Sequence, residues 1–468
     1  MSARSRGSAG GARHSPLLSR RALLVGLGLG LGVGFDPGAE RSAAARGRVA
    51  QGGRASLRVP WPLASLDPHD GASFAAALFA DAVFDTLYAR DARGAFGPSL
   101  AEAEPAVVGD EARVVIRGGL RSARGRTLGA RECAASIARA RAGHARGWLS
   151  SVPAPRVSGD TLRFVFAPGA PLLRDPAALV RVLASPLVAI VPPGFSPDSP
   201  DGTGPFRATL RGDGLTLTRN PSAARGPAFL DELVVRRAAD LKDSLRAFES
   251  GADELGWLGM GLYDSRPGAR PFDLGPIAYA ALFVGRDAGS WDAPGLPQRI
   301  CDSIPPSRLA PFALGPAWPV EPSDGWGGPS GPLLVRDDSP YLLELATTVA
   351  GVLSRPGHEL TVRGVSAEEL AQRRTSRLFT LALDLVRPAG HGAFGALVGL
   401  TQAVDPTRTA ALVTHPPRLA DLPARTLTRT LRCGVLGEIR AQGGRVPDLS
   451  PAAGTLGVDW GETSRARR

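Results

Sequence analysis

Lysine is all but missing from these 468 residues: Lys242 is the only one, and arginine supplies the rest of the 55 basic side chains. So complete a bias reflects overall composition, and the arginines are spread along the chain rather than gathered in a block. The net charge of +11 therefore does not mark a nucleic-acid surface, which would show clustered charge. Cysteine is nearly as scarce. Cys133, Cys301 and Cys433 permit at most one intramolecular bridge, which excludes a disulfide framework, and their wide spacing excludes a zinc finger. Whether two of them pair is left open, because sequence separation does not set spatial distance. The 6 histidines lack ligand spacing, so no metal or other cofactor is expected. The chain has no G-x-S-x-G, H-E-x-x-H or C-x-x-C, so no motif asks for catalysis, and the acidic pair Glu368-Glu369 is accounted for by helix capping. What remains is a loop-rich globular composition: 43% hydrophobic, 21% charged, with 58 glycines and 42 prolines. The length fits roughly two or three domains.

Residues 1–45 divide into three zones. A basic stretch ends in Ser19-Arg20-Arg21, the run from Ala22 to Phe35 is uncharged, and Ala43-Ala44-Ala45 forms a small-residue cleavage pattern. This is the layout of an export signal, and the paired arginines before a glycine-diluted apolar run resemble a twin-arginine signal. The run is too short and glycine-rich for a transmembrane helix. Its alternating glycines, Gly26 to Gly34, lack the flanking strand and helix of a dinucleotide-binding loop. No cysteine stands near the cleavage point to carry a lipid anchor. The chain after residue 45 is expected to be soluble and exported.

Along that remainder, Leu57–Trp61 reads as a strand and Ser73 as the cap of a helix bearing Phe74, Leu78, Val83 and Leu87. A helix is predicted over Ala130–Ala142, an alternating strand at Leu162, Phe164 and Phe166, and a helix opened by Asp175-Pro176. Gly202-Thr203-Gly204-Pro205 is the sharpest mid-chain punctuation. Strands Leu215–Arg219 and Leu233–Arg236 follow, then a helix capped by Asp240 and stopped at Gly251. Residues 263–330 carry little periodic signal. From Leu333 the pattern alternates strand and helix, with caps at Ser339 and Ser366 and a near-continuous apolar strand Phe379–Val386. That argues for a parallel sheet covered on both faces. Such sheets bind ligands beyond the carboxyl ends of their strands, which points to the segment after Val386.

Several segments stand in a familiar order: Leu66-Asp67-Pro68-His69, Val83-Phe84-Asp85-Thr86-Leu87-Tyr88, Gly202-Thr203-Gly204-Pro205-Phe206, Arg219-Asn220-Pro221 and Phe248-Glu249-Ser250-Gly251-Ala252-Asp253. Together they resemble the periplasmic peptide- and nickel-binding proteins, the family 5 solute-binding components of ABC importers. The resemblance implies an α/β fold: a two-lobed Venus-flytrap clamp, type II and cluster C-like, with an additional smaller subdomain. It divides the chain into a signal (1–45), a first lobe (46–75 and 201–262), an extra α+β subdomain (76–200), a second lobe (263–438) and a C-terminal return to the first lobe (439–468). It also implies a monomeric, periplasmic binding protein with no enzymatic activity. That protein would capture a small solute, such as an oligopeptide, and deliver it to an inner-membrane permease. A sensor or partner-binding protein without transport is the alternative, and an exported hydrolase the more remote one.

Four residues are candidates for the cleft. Trp257 is either a flat wall against ligand or core packing. Asp384 is either a ligand contact or a satisfied carboxylate on its strand. Arg387 either forks onto a ligand carboxylate or lies on a solvated face, and His391 is either a contact or a loop residue. In peptide-binding relatives an aspartate following the strand pairs with the ligand's amino group. Arg387-Pro388-Ala389-Gly390-His391-Gly392 holds none there, which counts against a free-amine peptide. Gly202, Thr203 and Gly204 are either part of the hinge or an ordinary strand connection.

Overall fold

The computed structural model describes residues 51–91, 94–257, 266–315, 325–414, 417 and 423–466. Residues 1–45, whose layout resembles an export signal, lie outside the described residues.

Strand β1 (Arg54–Val59) opens the fold and helix α1 (Phe74–Val83) follows, with Ser73 Oγ accepting from the Ala76 N–H at 3.1 Å. A hairpin of β2 (Tyr88–Arg90) and β3 (Phe96–Pro98) leads to β4 (Ala106–Val108) and β5 (Glu111–Val115). Helix α2 occupies Ala130–Ala142 as its periodicity predicts. Strands β6 (Arg156–Ser158) and β7 (Thr161–Val165) complete a four-stranded sheet in the order β4-β5-β7-β6. Helix α3 (Pro176–Leu183) is capped by the Asp175 carboxylate, which accepts from the Ala178 N–H at 3.2 Å.

Next come β8 (Phe206–Arg211), β9 (Gly214–Arg219), β10 (Glu232–Arg237), α4 (Leu241–Glu249) and β11 (Leu255–Trp257). Asp240 caps α4 and Gly251, at φ 81°, takes the left-handed conformation that ends it. The weakly patterned stretch after residue 263 then contains the longest strand among the described residues, β12 (Arg270–Val284). Helix α5 (Leu296–Asp302) follows. The alternating region comprises β13 (Gly331–Arg336), α6 (Pro340–Leu353), β14 (Leu360–Val365), α7 (Ala367–Ser376) and β15 (Leu381–Val386). Helices α8 (Gly392–Val404) and α9 (Pro406–Thr414) precede β16 (Cys433–Arg445) and the hairpin β17 (Leu449–Ala453) and β18 (Val458–Arg465).

Ten strands form one sheet in the order β14-β13-β15-β12-β16-β11-β1-β10-β9-β8. The expected parallel arrangement holds for β13 with β14 and with β15, and all six residues of β15 are buried. It stops there, because β12 pairs antiparallel with β15. Strands β12 and β16 pair with each other along nearly their whole lengths and pass from one half of the sheet to the other. Tyr279–Val284 pairs with β15, while Gly443–Arg445 pairs with β11. Register shifts interrupt the β12–β16 ladder between Asp273 and Ala281.

The main core runs through both halves of this sheet and includes α1, Trp61 and, from the C-terminal hairpin, Trp460. A second core begins at Leu87 and is built on the small sheet and α2, whereas α1 packs in the main core. Ala389, Val398 on α8 and Val413 on α9 also join this second core.

Candidate functional site

Local turn chemistry builds the first wall of the cleft. In Leu66-Asp67-Pro68-His69 the Asp67 carboxylate accepts from the His69 N–H at 3.0 Å, an Asx turn that fixes the loop after β1. Arg139, near the end of α2, forks onto Asp67 at 2.9 and 2.6 Å. The same guanidinium donates to His69 Nδ1 at 2.6 Å, so the ring's proton sits on Nε2, which donates to the Ala189 carbonyl at 2.8 Å. Burial pushes the pKa of His69 down to about 4; the Ala189 bond opposes the shift and the Arg139 charge adds to it. Burial of Asp67 works against its charge, but the Arg139 fork outweighs it and holds the carboxyl below its ordinary range.

The second wall is the carboxyl edge of β15 with α7 and α8. Arg374 on α7 donates to Asp384 Oδ2 at 2.6 Å and to the Ala403 carbonyl at 3.0 Å, and its guanidinium carbon lies 4.0 Å from the Phe283 ring centre. Asp384 is 4% exposed and its Oδ1 has no hydrogen-bond partner. Burial raises its pKa against the pull of Arg374 and Arg336. Beyond β15 the backbone of 387–390 lies directly on α8. A Cβ at Gly399 would overlap the Arg387 carbonyl, and one at Gly395 would overlap Gly390. Two glycines one helical turn apart thus admit this close approach.

The two walls touch. Arg387 is 3% exposed; its N–H donates to the Gly71 carbonyl at 3.0 Å, and its Nη1 donates to the carbonyls of Pro68 at 3.2 Å and Asp70 at 2.9 Å. Arg336 Nη1 donates to the Ala72 carbonyl at 3.1 Å. The Ser185 hydroxyl donates to the Ala389 carbonyl, and Trp148 packs 5.9 Å from Phe394. The cleft is therefore closed. Between the walls lie cavities of about 400 and about 530 Å³ that share Ala72, Ala142, Gly143, His144, Ala371 and Arg374. The smaller is walled by Arg146, Trp148, Val386 and Arg387, among others; the larger by Asp67, His69, Arg139, Arg336, Glu368 and Asp384. Both lie within the size range of small-molecule sites.

Asp384 and Arg387 come together at this cleft, one in each cavity wall. The solvated face considered for Arg387 is ruled out by its burial, and it bonds to carbonyls across the cleft. Asp384 is only half satisfied. His391 is exposed, stands at the N-cap of α8 and lines neither cavity. Trp257 ends β11 with Gly443 as backbone partner; its side chain lies outside the described residues. Gly202, Thr203 and Gly204 pack against the end of α1. A Cβ at Gly204 would sit 2.6 Å from the Val83 carbonyl carbon, and Thr203 donates to Asp85 at 2.8 Å. That turn is a tightly packed junction.

The residues not anticipated are His69, Arg139, His144, Arg146, Trp148, Arg336 and Arg374. Only the Asp67-Pro68-His69 motif flagged any of them, since the rest meet through tertiary packing. Among the described residues no His, Cys, Asp or Glu group is placed to hold a metal ion, and the three cysteines are buried free thiols.

Compared by sequence, the chain matches no family model and no curated protein. Compared by structure, it is similar over nearly its whole length to two-lobed solute-binding proteins. The pheromone receptor PrgZ, known for its mode of peptide binding, aligns with a TM-score of 0.67 at 15% identity, covering 90% of this chain and 100% of that one. NikA from Staphylococcus aureus, in complex with Ni(L-His)2, aligns at 0.64 and 13% identity, covering 88% and 100%. The oligopeptide-binding protein AppA from Bacillus subtilis, in complex with a nonapeptide, aligns at 0.64 and 12% identity, covering 90% and 100%. The fold is that of the family 5 solute-binding proteins, a two-lobed α/β clamp with a smaller subdomain. These neighbours are binding proteins, not enzymes.

Proposed function

We propose that this chain is an exported solute-binding protein of an ABC importer. It captures a small solute in the interlobe cleft by hinge closure and delivers it to a membrane permease. One observation carries the reading: two lobes joined by a pair of crossing strands close over adjoining cavities, with hydrogen bonds from Arg336 and Arg387 to the opposite wall. Hinge closure excludes water and lets ligand contacts from both walls act together. The interrupted β12–β16 ladder is the place where bending costs fewest hydrogen bonds, so the hinge belongs there.

Export rests on the signal-like layout of residues 1–45, and the periplasm is the compartment that layout and the fold together favour. Among the described residues no helix is long and apolar enough to cross a membrane. No observation calls for catalysis, and a single-chain binder is the simplest working form. Native mass spectrometry of the chain purified gently from its export compartment tests the reading. A stoichiometric small-molecule adduct that leaves on partial denaturation is expected. A bare mass, with no thermal shift on adding peptide and metal pools, refutes it.

A further inference from the structure

The cavity of about 400 Å³ has an uneven charge. Four arginines line it, Arg146, Arg374, Arg377 and Arg387, and among its described lining residues there is no aspartate or glutamate. Two of the four are neutralised from behind: Arg374 by Asp384 and Arg377 by Asp292. The other two are bonded by no carboxylate. Arg146 is exposed, and its guanidinium bonds to none of the described residues. Arg387 is buried and meets only backbone carbonyls, while its Nε has no partner at all. Asp67, Asp70 and Asp81 act on Arg387 through space without bonding to it.

A buried cation that no carboxylate bonds directly is costly, and an anion brought to it recovers part of that cost. The rest of the wall is apolar, with Trp148, Leu187, Leu385, Val386 and Val398 around the arginines. A fully hydrated inorganic ion would leave this surface unused.

Building on the solute-binding reading, we propose that the ligand is an organic anion with an apolar body. Its carboxylate or phosphate is held between Arg146 and Arg387, and its body lies against Trp148. Both acid types offer the oxygen pair that a guanidinium fork takes up. A ligand identified by a free ammonium group is disfavoured, because this cavity offers it no carboxylate. The two carboxylates behind the wall, Asp384 and Asp292, are engaged by Arg374 and Arg377.

The test is isothermal titration of the full purified chain with 4-phenylbutyrate, phenyl phosphate and 4-phenylbutylamine, which share a ring and differ in charge. One or both anions are expected to bind one to one, more weakly as salt rises, and the amine not to bind. The two anion arms separate a carboxylate ligand from a phosphate ester. Arg146→Gln should weaken anion binding by tenfold or more, and Arg146→Lys should restore part of it. As an exposed residue without partners, Arg146 can be changed without disturbing the fold, which circular dichroism checks. The proposal is overturned if the amine binds as tightly as the anions, if neither anion binds, or if Arg146→Gln leaves anion affinity unchanged. Amine binding would leave the solute-binding reading intact. Absence of any adduct in native mass spectrometry, together with no probe binding, would remove both.

Discussion

Gly147 sits where the segment after α2 meets α8 and α9. A Cβ built there would lie 2.6 Å from Cβ and Cγ2 of Thr409 on α9 and would overlap the Gln402 side-chain oxygen on α8. Gly147→Ala therefore strains the closed form and leaves an opened one free to relax. Overpacking of this kind costs about 1–3 kcal/mol. Gln402 can swing aside, whereas Thr409 is 0% exposed and fixed in its helix, which places the expectation near the middle of that range. A closed state penalised by about 2 kcal/mol loses roughly thirtyfold in population against the open one, and ligand affinity falls with it. Small-angle scattering should show a larger radius of gyration for the variant without ligand. Titration with whichever anion binds the parent should show weakening within about 5–150-fold. Gly351→Ala is the control: nothing lies within 4 Å of its added Cβ, which stands on helix α6, and it should be neutral or slightly stabilising. Unchanged scattering and unchanged affinity in Gly147→Ala would refute the claim that this contact forms only on closure.

Stability should fall in acid through His69. Its pKa is about 4 in the folded chain against about 6.5 unfolded, so its contribution is complete above pH 6.5 and lost as pH falls toward 4. That loss is on the order of 3 kcal/mol, at about 1.4 kcal/mol per unit. Urea unfolding across this range should show it, and His69→Asn should flatten the slope; equal slopes would contradict the assignment. Trp61→Ala removes a fully buried ring stacked 4.6 Å from Phe74 and should cost about 3–5 kcal/mol in the same assay. Gly204→Ala presses a methyl group onto the Val83 backbone, which cannot swing aside, and should cost about 3 kcal/mol or more. Ser339→Ala removes the N-cap of α6 and should cost about 1 kcal/mol.

The helices were legible because their signals are local. Ser73, Asp175, Asp240, Ser339 and Ser366 each accept a hydrogen bond from a backbone N–H three residues on, so a few adjacent letters specify the start. The strands that join the lobes were not. Ile277–Val284 is a continuous buried run, which has no period to separate strand from helix, and Pro271 and Pro276 break the pattern before it. Strand β16 is specified by its partners β12 and β11, the nearer of which begins far upstream.

Sequence alone determined the composition classes to exclude, the capped helices, the parallel β13–β15 unit and the ordered short motifs that resemble the family. All of these depend on neighbours within a few residues or on their order along the chain. Tertiary structure decided the site. Arg139 reaches Asp67 across 72 positions, and Arg387 reaches the Asp70 carbonyl across 317. No local pattern records which of so many arginines will be buried, paired or left facing a cavity. Only the closing of one lobe on the other sorts them, because burial and charge compensation are properties of the packed chain.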